Sequence, residues 1–303
     1  MNILKPKFLL ILFIILLVCS SCVRIEFDSK EKKSIRKEVE KTFSKIKTID
    51  FSDFSEDFDD KIKEHHEWVK KYVLNEWQIK YSTDYLNEVI FKIRNVKEGN
   101  TLIDLGSGFG IDCLLLRQII IGDKGKIIGI DIEESYNVVA RKYSEYLGYD
   151  NVDFILGDAR ELPFDDNIAD VVISNYTLTL IEEKEKVFSE IYRVLKDGGN
   201  CYIGDAIIYG KVKKHFDLFE KTKNNTLCAN YHTCFINTRK SKEEYLEILE
   251  RIGYRNIKIR IHNFSMVDDE GNVVGLLNNW RWIDKFRYRN KIISAGVYIY
   301  AEK

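Results

Sequence analysis

The 303-residue chain is poor in proline, methionine and histidine, with two, two and five of them. Its prolines, Pro6 and Pro163, leave no proline-rich linker. No tract recurs at a fixed period, which excludes solenoid and propeller architectures. Neither charge dominates: 47 Lys and Arg face 48 Asp and Glu, a net of −1. So balanced a chain lacks the electrostatic footprint of a nucleic-acid binder. Six cysteines, at 19, 22, 113, 201, 228 and 234, lack the spacing of a secreted disulfide scaffold and read as reduced thiols. Cys113 and Cys201 read as core thiols. Cys228, His232 and Cys234 have no fourth ligand nearby, so no metal is expected. His65 and His66 are neighbours in a helical stretch and cannot face one ion.

One long hydrophobic run is present. Lys5 and Lys7 precede Phe8–Val18, which ends in Cys19-Ser20-Ser21-Cys22. The pattern reads as a signal peptide with Cys22 lipid-modified, or as an uncleaved signal anchor. Cys19 stands where a lipidation motif usually has leucine. On either reading residues 8–23 attach the chain to a membrane. The flank that follows (Arg24, Lys30, Lys32, Lys33, Arg36, Lys37, Lys41) is more basic than the one before. That bias favours a cytosolic position for the rest of the chain.

Three regions follow from periodicity: residues 1–23, a helical accessory region at 24–97, and an α/β domain at 98–303. In the accessory region Ile35, Val39, Phe43 and Ile46 form one apolar stripe, and Trp68, Val69, Tyr72, Val73 and Trp77 another. Asp50–Asp60 is an acidic connector between them. From Gly99 onward strands (101–105, 126–131, 152–156, 169–174, 200–208) alternate with helices (111–121, 134–147, 182–196). Ser241-Lys242-Glu243-Glu244 is a capping box opening a further helix that ends before Gly253. Strands at 257–263 and 295–301 complete a Rossmann-like, doubly wound, mainly parallel sheet of seven strands. Segments 209–240 and 264–292 read as lid or substrate segments.

The chemistry concentrates in Asp104-Leu105-Gly106-Ser107-Gly108-Phe109-Gly110 and in Asp131, some twenty residues later. A strand, a glycine turn, a helix and a second strand ending on a carboxylate form a nucleotide-binding unit, with the acid placed for ribose hydroxyls. The spacing departs from the dinucleotide pattern G-x-G-x-x-G. Asp104 before the turn would repel a pyrophosphate but suit a cationic amino group. An adenosine with a positive tail fits better than a dinucleotide.

Taken with Leu156-Gly157-Asp158-Ala159, Leu162-Pro163-Phe164, Asp170–Asn175 and Arg193-Val194-Leu195-Lys196-Asp197-Gly198-Gly199, the loop resembles the class I S-adenosylmethionine-dependent methyltransferases. In that family's last turn proline stands where this chain has Asp197. The resemblance implies S-adenosylmethionine as cofactor. It implies contacts from Asp104, Gly106, Ser107, Gly108, Gly110, Asp131, Ile132, Asp158, Ala159 and Asn175, with Asp158 at the adenine amino group and the Ala159 N–H at the ring. Asn175 and Tyr176, after the fourth strand, would meet the methyl or its acceptor.

Within the superfamily the chain is most similar to the arsenite methyltransferases, through Gly106-Ser107-Gly108-x-Gly110-x-Asp112-Cys113, Tyr149–Phe154, Val171–Asn175, and Cys234 before Ser241–Leu246. Those enzymes hold trivalent arsenic on thiolates, which is soft-ligand chemistry. One such cysteine follows the fourth strand, where this chain has Tyr176; an N-terminal one is also missing. Cys234 remains, with Cys228 nearby, for a thiophilic acceptor. The expected activity is in-line methyl transfer to a small-molecule acceptor, with no protein partner inferred. The alternative is a membrane-anchored, non-catalytic binding protein that reuses the fold.

Overall fold

A computed structural model describes residues 29–48, 67, 96–209, 240–267, 273–277 and 292–303. The described residues divide into two compact units, one within 29–175, 189–202 and 302–303, the other within 176–188 and 203–301.

In the first unit β1 (Thr101–Leu105) lies between β2 (Lys126–Asp131) and β4 (Ala169–Asn175), and β3 (Val152–Leu156) pairs with the far side of β2. All three pairings are parallel, with Ile103 beside Ile128 and Val172, so the strands hydrogen-bond in the order β3-β2-β1-β4, and β5 (Leu195–Tyr209) follows. Strands β1, β2 and β4 are short runs of β-branched and leucine residues buried on both faces, the pattern that helices on either side of a parallel sheet require. Leu102, Ile103, Leu105, Ile127, Ile130, Val171, Val172 and Ile173 form the core they share. The chain builds outward from β1 to β3, then returns to β4 on the other side of β1. That reversal is a topological switch point, where open α/β sheets bind ligands at the strands' carboxyl ends.

Helix α1 (Ser29–Lys47) buries Val39, Phe43 and Ile46, three members of the stripe expected from the sequence. It packs on α2 (Ile111–Leu116) and α3 (Glu134–Leu147). Helix α2 runs into a π-helical turn, Arg117–Ile121. Trp68, Val69, Tyr72, Val73, Trp77, His65, His66 and the connector at 50–60 lie outside the described residues.

In the second unit, which β5 enters at Ile203, the order is β5-β8-β6-β7, with β6 at Arg255–Val267 and β8 at Ile292–Glu302. Strand β7 (Val273–Leu277) pairs antiparallel with β6 and adds an eighth strand, inside the 264–292 segment that reads as a lid or substrate segment. Helix α4 (Lys184–Val194) spans the boundary between the units, and α5 (Lys242–Ile252) opens on the expected capping box. The Ser241 hydroxyl accepts from the Glu244 N–H at 3.1 Å, and the Glu244 carboxylate accepts from the Ser241 N–H at 2.7 Å. Gly253, left-handed at φ 111°, closes the helix.

Among the described residues no helix is long and apolar enough to cross a membrane; residues 8–23 lie outside them.

Candidate functional site

The site grows from the end of β1. Gly106 and Ser107 N–H groups donate to the Ile130 carbonyl at 2.7 and 2.9 Å, tying the turn to β2. Gly110 then caps α2 with φ 75°. A Cβ there would stand 2.4 Å from Phe154 Cζ and 2.9 Å from Ala140 Cβ, so only glycine lets α2 start this close to β3 and α3. Gly108 is the opposite case. Its φ is 53°, and a Cβ would meet nothing within 4 Å. The loop backbone is therefore open at this point, as a turn that cradles a ligand must be.

Asp131, at the end of β2, fixes that turn. One carboxylate oxygen accepts from the Gly108 N–H at 2.9 Å, the other from the Glu133 N–H at 3.0 Å. Burial pushes Asp131 above the usual carboxylate range, and the two N–H donors oppose the shift. Each oxygen keeps a further lone pair for another donor. From α3, Asn137 Nδ2 holds the Asp131 carbonyl at 3.1 Å. Ile132, the next residue, is 70% exposed although it is a large apolar side chain. It offers an exposed apolar surface beside the Asp131 carboxylate.

A second carboxyl group, Asp112, stands in the first turn of α2. Asn175 Nδ2, at the end of β4, donates to it at 3.3 Å. Burial raises the Asp112 pKa to about 6, against the stabilising hydrogen bond. Asp104 is deeper, 2% exposed, and accepts from Cys113 Sγ at 3.2 Å. Burial, then the neighbouring Asp112, push Asp104 well above the carboxylate range. Burial also pushes the Cys113 thiol up, so this cysteine stays a protonated core residue. Three acids thus converge on one turn, and the two at β1 and α2 repel one another. A cationic ligand relieves that repulsion, whereas a pyrophosphate would add to it. Among the described residues no group of three His, Cys, Asp or Glu is placed to hold a metal ion.

Asp158 follows β3. Its carboxylate is gripped by Arg160, with Nη2 at 2.6 Å from Oδ2 and the Arg160 N–H at 2.8 Å from Oδ1. The Asp158 carboxylate is therefore already oriented by a guanidinium. The loop beyond is held from α4. Glu190 accepts from the Leu162 N–H at 2.7 Å, and Arg193 donates to the Phe164 and Leu162 carbonyls at 2.6 and 3.0 Å. Ala159 and Leu162 are buried beneath it.

The residues expected from the sequence are largely gathered here. Asp104, Gly106, Gly108, Gly110, Asp131, Ile132 and Asn175 surround the switch point, with Asp158 and Ala159 one strand further on. Ser107 contributes its backbone. Its hydroxyl is buried against Gly129 and finds no hydrogen-bond partner among the described residues. Tyr176 follows Asn175 directly and has φ 60°, a left-handed backbone unusual for an aromatic residue. Cys228 and Cys234 lie outside the described residues. Two residues received no role from sequence reasoning, although Asp112 lies in the loop that resembles the arsenite methyltransferases. Asp112 looks like an ordinary acid in a first helical turn, a position the helix dipole favours. Tyr136, whose ring packs on Phe109 at 4.6 Å, looks like core. The proximity of Asp112 to the glycine turn was the one available signal.

This fold and turn define a class I S-adenosylmethionine-dependent methyltransferase. The methyltransferase-domain family matches residues 96–253, and the chain belongs to that family. It is 41% identical over 109 residues to an arsenite methyltransferase of Halobacterium salinarum, a match covering 36% of this chain and 28% of that protein. It is 35% identical over 109 residues to a ubiquinone/menaquinone biosynthesis C-methyltransferase of Escherichia fergusonii, covering 36% of this chain and 43% of that one. Each match thus spans less than half of the relative's own length. Among solved structures, an arsenic(III) S-adenosylmethionine methyltransferase from Chlamydomonas reinhardtii superposes with TM-score 0.50 at 21% identity, covering 68% of this chain and 65% of that one. At that identity the likeness concerns the fold.

Proposed function

We propose that the chain transfers a methyl group from S-adenosylmethionine to a small-molecule acceptor. One observation carries the reading: a glycine turn open at Gly108, clasped by Asp131 and faced by a second, titratable carboxyl group, Asp112. That donor set suits an adenosine bearing positive charge. The cofactor supplies an activated sulfonium methyl. The protein's task is then to bind, orient and exclude water. Asp131 takes the ribose hydroxyls and Ile132 lies against the base. Asp158, held by Arg160, and the Ala159 N–H read the adenine edge. Asp112 balances the positive charge, and Asn175 links it to the end of β4. Asn175 and Tyr176 stand at the acceptor side. No side chain need remove a proton unless the acceptor carries one.

Calorimetry with S-adenosylmethionine tests the reading. Saturable binding is expected, weakened at least about a hundredfold in Asp131→Ala, since two charge-assisted hydrogen bonds are lost. A folded wild-type chain that shows no binding would refute it and favour the non-catalytic alternative.

Arsenite is the second reading of the acceptor. It is supported by the identity to arsenite methyltransferases and by Cys234 with Cys228. The identity covers the cofactor half, which does not select an acceptor, and Tyr176 replaces the thiolate position after β4. Arsenite turnover that disappears in Cys234→Ser supports this reading; absent turnover, or turnover unchanged by the substitution, ends it. Membrane attachment through residues 8–23, with the domain in the cytosol, rests on the apolar run and its basic flank. Protease added to intact cells should leave the domain uncut, and cleavage would place it outside.

A further inference from the structure

We infer that Asp205, with Thr179, Tyr245 and Lys184, forms a positioning assembly for Tyr176, fixing the segment that follows β4 in the geometry the acceptor meets. The inference rests on the methyl-transfer reading above. All its residues belong to the second unit.

Tyr176 adopts φ 60°, a left-handed backbone that strains a non-glycine residue and persists only where the surroundings over-determine it. The surroundings here do so. The Tyr176 N–H donates to the Gly204 carbonyl of β5 at 2.7 Å. Next comes a 3-10 turn, Leu178–Leu180, closed by backbone bonds from Leu180 to Thr177 and from Ile181 to Leu178, both 2.9 Å. Those bonds alone would make a turn. Two buried side chains, an acid and an amine, hold it as well. On one side the Thr179 hydroxyl donates to Asp205 and accepts from the Ala206 N–H at 3.3 Å. The other Asp205 oxygen accepts from the Tyr245 hydroxyl, whose ring stands edge-on to Phe188 at 5.9 Å. On the opposite side Lys184 Nζ donates to the Ile181 carbonyl at 2.6 Å and to that of Leu178. Asp205, Thr179, Lys184 and Tyr245 are all buried.

Burying an acid and an ammonium around a three-residue turn is expensive, and packing alone does not require it. The return is rigidity at Tyr176, the residue after the strand end that meets the reacting groups in a doubly wound sheet. A displacement of about 1 Å there costs as much as a hundredfold in rate. These four residues touch neither cofactor nor acceptor in this account; they act through Tyr176.

The test uses the full chain as wild type, Thr179→Val, Thr179→Ser and Tyr245→Phe. Labelled methyl from S-adenosylmethionine is followed into the small-molecule fraction of a cell extract, and cofactor affinity is measured alongside. Thr179→Val and Tyr245→Phe should lower the transfer rate about tenfold or more while the cofactor Kd stays within about twofold. Amide exchange at residues 176–181 should rise in the same variants. Thr179→Ser, which keeps the hydroxyl, should retain the wild-type rate. If Thr179→Val does not fold, Tyr245→Phe carries the same comparison. Wild-type rates in the folded variants overturn the inference alone, as does a rate loss matched by an equal loss of cofactor affinity. A wild-type chain that binds cofactor but transfers no methyl overturns the functional reading, and the inference with it.

Discussion

Lowering the pH from 7 to 5 should weaken S-adenosylmethionine binding about tenfold, and Asp112 should be the cause. In the free protein burial raises its pKa to about 6, so a proton occupies the carboxyl group below that pH. A cationic ligand prefers the ionised form and pulls the pKa down again. If only the ionised form binds, apparent affinity falls by one plus ten to the power of the pKa minus the pH. That factor is about eleven at pH 5 and about 1.1 at pH 7, a difference near 1.4 kcal/mol. Asp104 is more deeply buried, and burial pushes it well above the carboxylate range. For folding of the free protein the sign is opposite. Asp112 holds its proton more tightly folded than unfolded, so its contribution to stability is present below the unfolded value of 3.8 and is lost as pH rises through about 6. Thermal protection by the cofactor should therefore grow with pH. Calorimetry from pH 5 to 8, repeated in buffers of different ionisation enthalpy, should reveal proton release on binding near pH 6. Asp112→Asn should flatten the profile and weaken binding about tenfold at pH 7. A flat wild-type profile, or a slope that survives in Asp112→Asn, refutes this account.

Three shorter predictions concern the frame. Gly110→Ala should lower stability by about 2–4 kcal/mol, because its methyl would lie 2.4 Å from Phe154 Cζ on a left-handed backbone; chemical denaturation reads this, and adding Phe154→Leu should restore part of it. Ile132→Ser should weaken cofactor binding by about 1 kcal/mol and leave the melting temperature nearly unchanged, since the side chain is 70% exposed in the free protein. Phe43→Ala, emptying a fully buried position on α1, should cost about 3–5 kcal/mol in denaturant titration.

Much of this was legible in the sequence because the local signals agree. Strands β1, β2 and β3 begin and end where short apolar runs meet turn residues. Helix α3 stops at Gly148, and α5 lies within its capping box. Strand β5 was less legible. Leu195–Gly199 reads as the end of a helix and a turn, but pairing in the sheet brings it into the strand. Strand β7 depends on its antiparallel partner β6, and its sequence lacks a clear alternation. The site divides in the same way. The glycine turn and Asp131 form a local pattern. The pairing of Asp112 with Asn175 joins residues 63 apart in sequence, and no periodicity announces it. Nor does anything beside Asp205 in the sequence name Thr179 and Tyr245 as its partners.

Arg193 has a consequence for how the protein is made. The loop after β3 carries Asp158 and Ala159, yet the guanidinium that fastens its Leu162 and Phe164 carbonyls arrives some thirty residues later, on α4. A nascent chain can complete the glycine turn and the β1-β2-β3 pairing before that arginine has been synthesised. It cannot fasten the loop that carries Asp158. On the assignment proposed above, recognition of the base is the last part of the cofactor site to mature on the ribosome, and a chain stalled before residue 193 would display the Asp131 clasp without it.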